Sequence, residues 1–237
     1  MKPLYQRILL KLSGEGLAGN AKNGINSEVV ARLAQEIAKI RSMGVKICLV
    51  VGGGNFFRGA KDAAQTMDRS VADQIGMMAT LMNALSLKSA LDNINCPTVI
   101  YSGLNVPQVC DVYCFKDAID SLEQGNVLIF AGGTGSPYFT TDTGAVLRAA
   151  EMHCDILLKA TQVDGVYDAD PRYNLDAVRF DKISYDSVIA QHLNVMDMTA
   201  IALARDVKLP IMVFAQADEN SLIDAVCGTV KHTIIKS

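Results

Sequence analysis

The sequence predicts an α/β protein: a single three-layer αβα domain, residues 1–237, around a largely parallel central sheet. Three observations carry this. Short apolar runs rich in Val, Ile and Leu recur without clean alternation, as in strands buried on both faces. Longer segments with helical periodicity separate them, in the order a parallel sheet requires. No Pro/Gly/Ser-rich linker, charge block or internal repeat divides the chain.

Taken in order, the predicted strands are Arg7 to Leu12, Lys46 to Val51, Thr98 to Tyr101, Asn126 to Ala131, Asp155 to Lys159, Ile211 to Phe214 and Thr233 to Ile235. The first helix runs from about Ser27 to Met43, with Val29, Val30, Leu33, Ile37 and Ile40 on one face and Gly44 as its stop. Further helices are predicted around Asp68 to Asp92, Asp117 to Gln124, Thr141 to Met152, Met196 to Val207 and Asn220 to Val226. The polar, turn-rich stretch from Ala160 to Ile183 reads as a flap inserted between strand and helix.

Composition narrows the function. The formal net charge is −3 and the basic residues are scattered, which argues against nucleic acid and membrane surfaces as partners. No apolar run approaches the length of a spanning helix. The six cysteines form no CxxC pair, and with no signal-like N-terminus they predict reduced thiols and a cytoplasmic protein. Cys110 and Cys114 read as buried thiols rather than metal ligands, since no histidine lies near them in sequence, and no metal-binding side chains are assigned.

The stretch KLSGEGLAG at 11 to 19 contains a GxGxxG. A dinucleotide fingerprint would have its glycines enter a helix at once and a carboxylate close the second strand. Here Gly19 leads into Asn20 to Gly24, a loop, and the second strand ends in Gly52-Gly53-Gly54-Asn55. A GxxxxGK[ST] phosphate loop and the protein-kinase motif set are also absent.

What remains is three glycine loops, at 13–16, 52–55 and 132–136, each following a predicted strand. In a parallel sheet such loops share the carboxyl edge, where glycine admits close approach of phosphate to backbone N–H groups. Lys11 sits in the otherwise apolar first strand, and Lys159 repeats the arrangement at the end of Ile156-Leu157-Leu158-Lys159. Two ammonium groups so placed can meet over one anion. Arg58 follows the second loop, and Asp142 stands at a predicted helix N-terminus after the third.

KLSGE near the N-terminus, VVGGGNFFRG at 50 to 59, AGGTGSPYFTTD at 131 to 142, LLKATQVDGVYDADP at 157 to 171 and Asp73-Gln74-Ile75-Gly76-Met77 together resemble the bacterial uridylate (UMP) kinases of the amino acid kinase superfamily. The likeness runs from Arg7 to Ile235. It implies that Lys11, Ser13 and Gly14 meet the ATP phosphates, with Gly54 and Arg58 nearby and Leu12 also on the ATP side, and that Thr161, Gln162, Tyr167 and Asp170 line its adenine and ribose. It implies that Gly53, Asp73, Thr134, Gly135, Ser136, Pro137, Tyr138, Phe139, Thr140 and Thr141 hold UMP. Lys11, Lys159 and Asp142 become the catalytic set, with Mg²⁺ held mainly by ATP oxygens and water. A homohexamer, inhibition by UTP and activation by GTP are further family traits. The third loop departs from the family pattern at Ser136 and Tyr138, where Asn and Phe are common. On the residues alone, a small carboxylate or carbamate acceptor and a non-catalytic nucleotide sensor stay open; Asp73 and the TGSPYFTT segment favour a nucleotide acceptor.

Overall fold

The computed structural model describes residues 2–21, 23–57, 67–216 and 219–237. Its elements in chain order are β1 (Arg7–Leu12), α1 (Gly14–Leu17), α2 (Ser27–Ser42), β2 (Lys46–Val51), α3 (Arg69–Asp92), β3 (Thr98–Ser102), β4 (Asp111–Val112), α4 (Phe115–Glu123), β5 (Val127–Ala131), α5 (Thr141–Glu151), β6 (Ile156–Thr161), β7 (Val166–Tyr167), β8 (Arg179–Phe180), β9 (Lys182–Ile183), α6 (Tyr185–Ala190), α7 (Met198–Asp206), β10 (Ile211–Ala215), α8 (Ser221–Cys227) and β11 (His232–Ile235).

Among the described residues nine strands form one sheet in the order β4-β3-β5-β2-β1-β6-β10-β11-β9. Every neighbouring pair is parallel except β10 with β11. The chain winds outward from β1 in both directions, so β1 flanks the switch point where open α/β sheets take ligands.

Pleating divides the side chains of β1 between two layers. Ile8, Leu10 and Leu12 pack with α2, α3 and α8 through Leu33, Ile37, Leu87 and Leu222. Leu9 packs on the other face with Ala145, Val146 and Ala149 of α5 and Ile201 of α7. Each such leucine or isoleucine, withdrawn from water, contributes about 1.5–3 kcal/mol. Lys11 is two residues on from Leu9, so the same alternation sends it to the α5 side.

The helix starts follow local capping. Asn26 accepts from the Glu28 and Val29 N–H groups at 2.9 and 3.1 Å, and Asp68 accepts from Ser70 N–H at 2.8 Å, each satisfying donors that have no intrahelical partner. The α2 chain leaves through Gly44 at φ +87°, a conformation glycine adopts without strain.

Four details differ from the sequence expectation. A four-residue helix opens at Gly14, too short for its periodicity to register in sequence. Residues 185–190 form α6 before α7, where a single later helix was expected. The 160–183 stretch is not merely a flap: β7 and β8 pair as an antiparallel ribbon, and β9 joins the main sheet beside β11. Two-residue strands carry almost no periodic signal, so only tertiary pairing defines them. All six cysteines are free, but Cys114 is exposed and Cys110 half-buried, because β4 is an exposed edge strand and the residues flanking it are not drawn into the core.

Candidate functional site

The parallel register of β1 and β6 sets Lys11 directly beside Lys159. Both side chains reach the first turn of α5. Lys159 Nζ donates to Asp142 Oδ2 at 2.6 Å, and Lys11 Nζ lies 2.9 Å from Asp142 Oδ1. All three side chains are largely withdrawn from solvent, at 11–14% exposure. Asp142 is placed by the cap of α5, where Thr140 Oγ1 accepts from the Asp142 N–H at 3.0 Å.

The electrostatics follow from this geometry. Burial alone would push the Asp142 carboxyl up, but the Lys11 and Lys159 charges more than reverse that and hold it at about 2. Burial moves Lys159 the other way, below the usual ammonium range, against the opposing pull of Asp142. Lys159 also donates to Val195 O at 2.6 Å, so two of its three N–H bonds are committed and, among the described residues, one is left to aim at an anion. Asp142 Oδ1 is buried with the Lys11 ammonium 2.9 Å away as its partner.

The glycine loops converge here. Gly52 N–H donates to Leu12 O at 3.0 Å, joining the first two loops. A Cβ on Gly14 would lie 2.5 Å from Gly52 O, and one on Gly135 would lie 2.5 Å from Gly103 O, so only glycine fits at either place. The third loop is pinned to α3, since Gly132 N–H donates to Thr80 Oγ1 at 2.8 Å. Gly132, Gly133 and Gly135 all have positive φ.

The residues read as a UMP site also gather, apart from the lysine pair but on the same edge. Asp73, on the first turns of α3, is paired with Arg69 at 2.8 Å and accepts from the Tyr138 N–H at 2.8 Å. Tyr138 stands at φ +70°, with the Arg69 guanidinium 5.4 Å from its ring centroid. Thr134 Oγ1 accepts from Ser136 N–H at 3.2 Å within the loop, and Phe139 is exposed. Gly53 packs against Gly76 O and Ala79 of α3.

The ATP-side residues are less united. Ser13 and Gly14 open α1, whereas the Leu12 side chain is fully buried in the core. Thr161 ends β6, its carbonyl accepting from Gln216 N–H at 2.8 Å, while Gln162 is exposed. The Tyr167 hydroxyl donates to Asp164 at 2.5 Å, and Asp164 pairs with Lys231 at 2.9 Å. Asp170 pairs with Arg172 at 2.7 Å on an exposed turn. Arg58 lies outside the described residues.

Sequence reasoning missed several participants. Val195 O holds Lys159, and Asp197 accepts from the Thr143 hydroxyl at 3.0 Å and the Ala200 N–H at 2.9 Å, tying α5 to α7. Asp197 did carry a signal, an Asp directly before a helical run. Asn83 and Thr80 carried none, and Asn55 showed only as the last residue of the second glycine loop.

Paired ammonium groups about one carboxylate, beneath convergent glycine loops at a parallel sheet's carboxyl edge, have the charge and backbone geometry suited to phosphate-bearing ligands, as in phosphotransferases. The pattern of the Amino acid kinase family matches residues 6–215. The chain is 49% identical over 231 residues to the uridylate kinase of Paramagnetospirillum magneticum, covering 98% of this chain and 96% of that one. It is 48% identical over 235 residues to the uridylate kinase of Erythrobacter litoralis, covering 99% of each. The UMP kinase structure from Ureaplasma parvum superposes with a TM-score of 0.93 at 36% identity, covering all of both chains. That from Bacillus anthracis gives 0.92 at 37%, covering 98% of this chain and 96% of that one. The chain belongs to the amino acid kinase family, in its uridylate kinase branch.

Proposed function

We propose that this protein transfers the terminal phosphoryl group of ATP to UMP, giving ADP and UDP in pyrimidine nucleotide synthesis. The observation that carries the reading is the Lys11–Asp142–Lys159 cluster, with its two lysines at paired positions on adjacent parallel strands and Asp142 at the start of α5 between them. The near full-length likeness to uridylate kinases supports it.

The chemistry asks for little covalent assistance. The attacking atom is an oxygen of a phosphate already ionised at neutral pH, so no general base is required. The obstacle is repulsion between two polyanions and the charge on the transferring group. Lys11 and Lys159 meet that charge, and Asp142, ionised down to about pH 2, keeps the two ammonium groups together before substrate arrives. The uncommitted N–H of Lys159 is assigned to an oxygen of the transferring phosphoryl group. Backbone N–H groups of the glycine loops take the remaining phosphate oxygens.

Magnesium fits this donor set as a nucleotide-borne ion. No cluster of three or more His, Cys, Asp or Glu exists among the described residues, so phosphate oxygens and water would supply most ligands. Asp142 Oδ1, buried 2.9 Å from Lys11 Nζ, is the carboxylate oxygen this cluster would offer the ion. Bound there, the ion would neutralise phosphate charge.

Asp73 is assigned to the UMP ribose, with 134–141 around the nucleotide. Thr161, Gln162, Tyr167 and Asp170 are assigned to ATP. A homo-oligomer is supported by the long helix: Val71, Ile75, Met78, Met82 and Leu85 recur at alternating spacings of four and three, and each is at least 36% exposed. The hexamer and the effects of GTP and UTP rest on the family resemblance alone. Lys88, the basic residue in the C-terminal half of this helix, is held by Asp92 at 2.8 Å and Thr98 O at 2.9 Å.

The test is ADP release from Mg·ATP with UMP, CMP, dUMP and N-acetylglutamate offered separately. Turnover with UMP and not with N-acetylglutamate is expected. Turnover with the carboxylate alone, or with no acceptor although ATP binds, overturns the reading.

A further inference from the structure

Asn55 and Asn83 form a reciprocal amide pair beneath the second glycine loop, both wholly buried. Asn55 Nδ2 donates to Asn83 Oδ1 at 2.9 Å, and Asn83 Nδ2 donates back to Asn55 Oδ1 at 2.7 Å. The second hydrogen of Asn83 goes to Gly52 O at 2.7 Å, and that of Asn55 goes to Gly24 O at 2.7 Å. All four amide hydrogens are used and both side-chain carbonyls accept. Such a pair costs desolvation where apolar side chains would pack without penalty, and its full set of hydrogen bonds offsets that cost.

The Asn83 bond to Gly52 O decides which way one peptide faces. The described chain has no cis peptide bond, and in a trans peptide the carbonyl of one residue and the N–H of the next point in opposite directions. With Gly52 O held toward α3, the Gly53 N–H points away from the helix. Neither Gly53 N–H nor Gly54 N–H donates to a described residue, and both glycines are only half-buried. Two glycines in sequence would otherwise let this peptide flip cheaply. Asn55 fixes the far end of the loop, its own carbonyl accepting from Gly24 N–H at 2.9 Å.

We propose that Asn83, acting with Asn55, is a positioning residue for the phosphate-binding loop: its amide locks the Gly52–Gly53 peptide so that the Gly53 N–H is presented to a nucleotide phosphate. The proposal rests on the phosphoryl-transfer reading of this site. Asn83 touches no substrate; it acts through the backbone it holds.

The discriminating measurement compares ligands with and without phosphate. In Asn83→Leu, similar in volume but without donors, the affinity for UMP falls about tenfold or more, the worth of one charge-assisted hydrogen bond. Affinity for uridine changes by less than about twofold, and kcat falls with kcat/KM. Asn83→Ser, which keeps one donor, lies between. A folded Asn83→Leu with wild-type UMP affinity overturns the proposal, as does an equal loss for UMP and uridine, which is what a merely structural role gives. If neither variant folds, amide NMR of the wild type decides: the Gly53 N–H signal moves on addition of UMP or tripolyphosphate if the proposal holds, and stays if it fails. A wild type that binds tripolyphosphate through this amide but does not phosphorylate UMP defeats the functional reading and leaves the positioning role standing.

Discussion

The carboxyl ends of β1 and β6 and the ribbon that follows β6 are neighbours in the fold, yet they are built on different terms. Lys159 is fixed by Asp142 and by Val195 O, and its backbone by the register with β1. In the ribbon segment the side chains satisfy one another locally, Tyr167 with Asp164 and Asp170 with Arg172, while Tyr173, Leu175 and Val178 stand 88%, 99% and 62% exposed. The charges that must be preorganised for transfer lie where the backbone is over-determined. Of the residues assigned to the nucleoside of ATP, Thr161 is anchored in β6, whereas Gln162 and Asp170 are exposed with few contacts on the chain, which suits a surface that adjusts as its ligand enters.

The largest effect expected from this contrast is at the lysines. Lys159→Ala should lower kcat by about 10²–10³-fold while leaving the KM for UMP within a few-fold, as loss of a group acting on the transition state does. Steady-state kinetics with Mg·ATP and UMP checks it, and equal losses in both parameters would mean that Lys159 serves ground-state binding.

Next is the acid limb of stability. Asp142 is held at about 2 against an ordinary 3.8, so its contribution is fully present above 3.8 and is lost as pH falls toward 2. The gap corresponds to about 2 kcal/mol. Urea unfolding from pH 5 to pH 2.5 should show that loss, and Asp142→Asn should be less stable at pH 5 with a flatter acid limb. An unchanged limb would mean that the buried lysine–carboxylate cluster does not set acid sensitivity.

Asp73→Asn should raise the KM for UMP about tenfold with kcat nearly kept, since one charged acceptor of the ribose becomes neutral. Comparing UMP with dUMP sharpens this, because the variant should narrow the difference between them. The smallest effect belongs to the ribbon: Leu175→Ser should change stability by less than about 0.5 kcal/mol, an exposed side chain having no packing to lose. A larger drop in thermal stability would show that the ribbon tip is covered in the assembled protein.

Much of this was legible before the fold. Apolar runs located the principal strands, Gly44 marked the end of α2, and Lys11 and Lys159 stood out because ammonium groups rarely interrupt buried strands. The short elements were not legible: β4, β7, β8 and β9 have two residues each, and only their partners make them strands. Nor were the second partners of the site, because a neutral amide or a main-chain carbonyl carries no signal in one dimension.

The sequence by itself determined the three-layer class, the placing of three glycine loops after strands, and the lysines and aspartate that meet in the site. Local chemistry suffices for these, since periodicity, turn conformation and the cost of burying charge act over a few residues. Only the tertiary structure decided that Lys11 and Lys159 share a register, that Val195 takes a hydrogen bond from 36 residues away, and that Asn55 and Asn83 join across 28 residues. Those contacts exist because the sheet closes long loops and removes water from the groups it brings together, so that each must find its partner there.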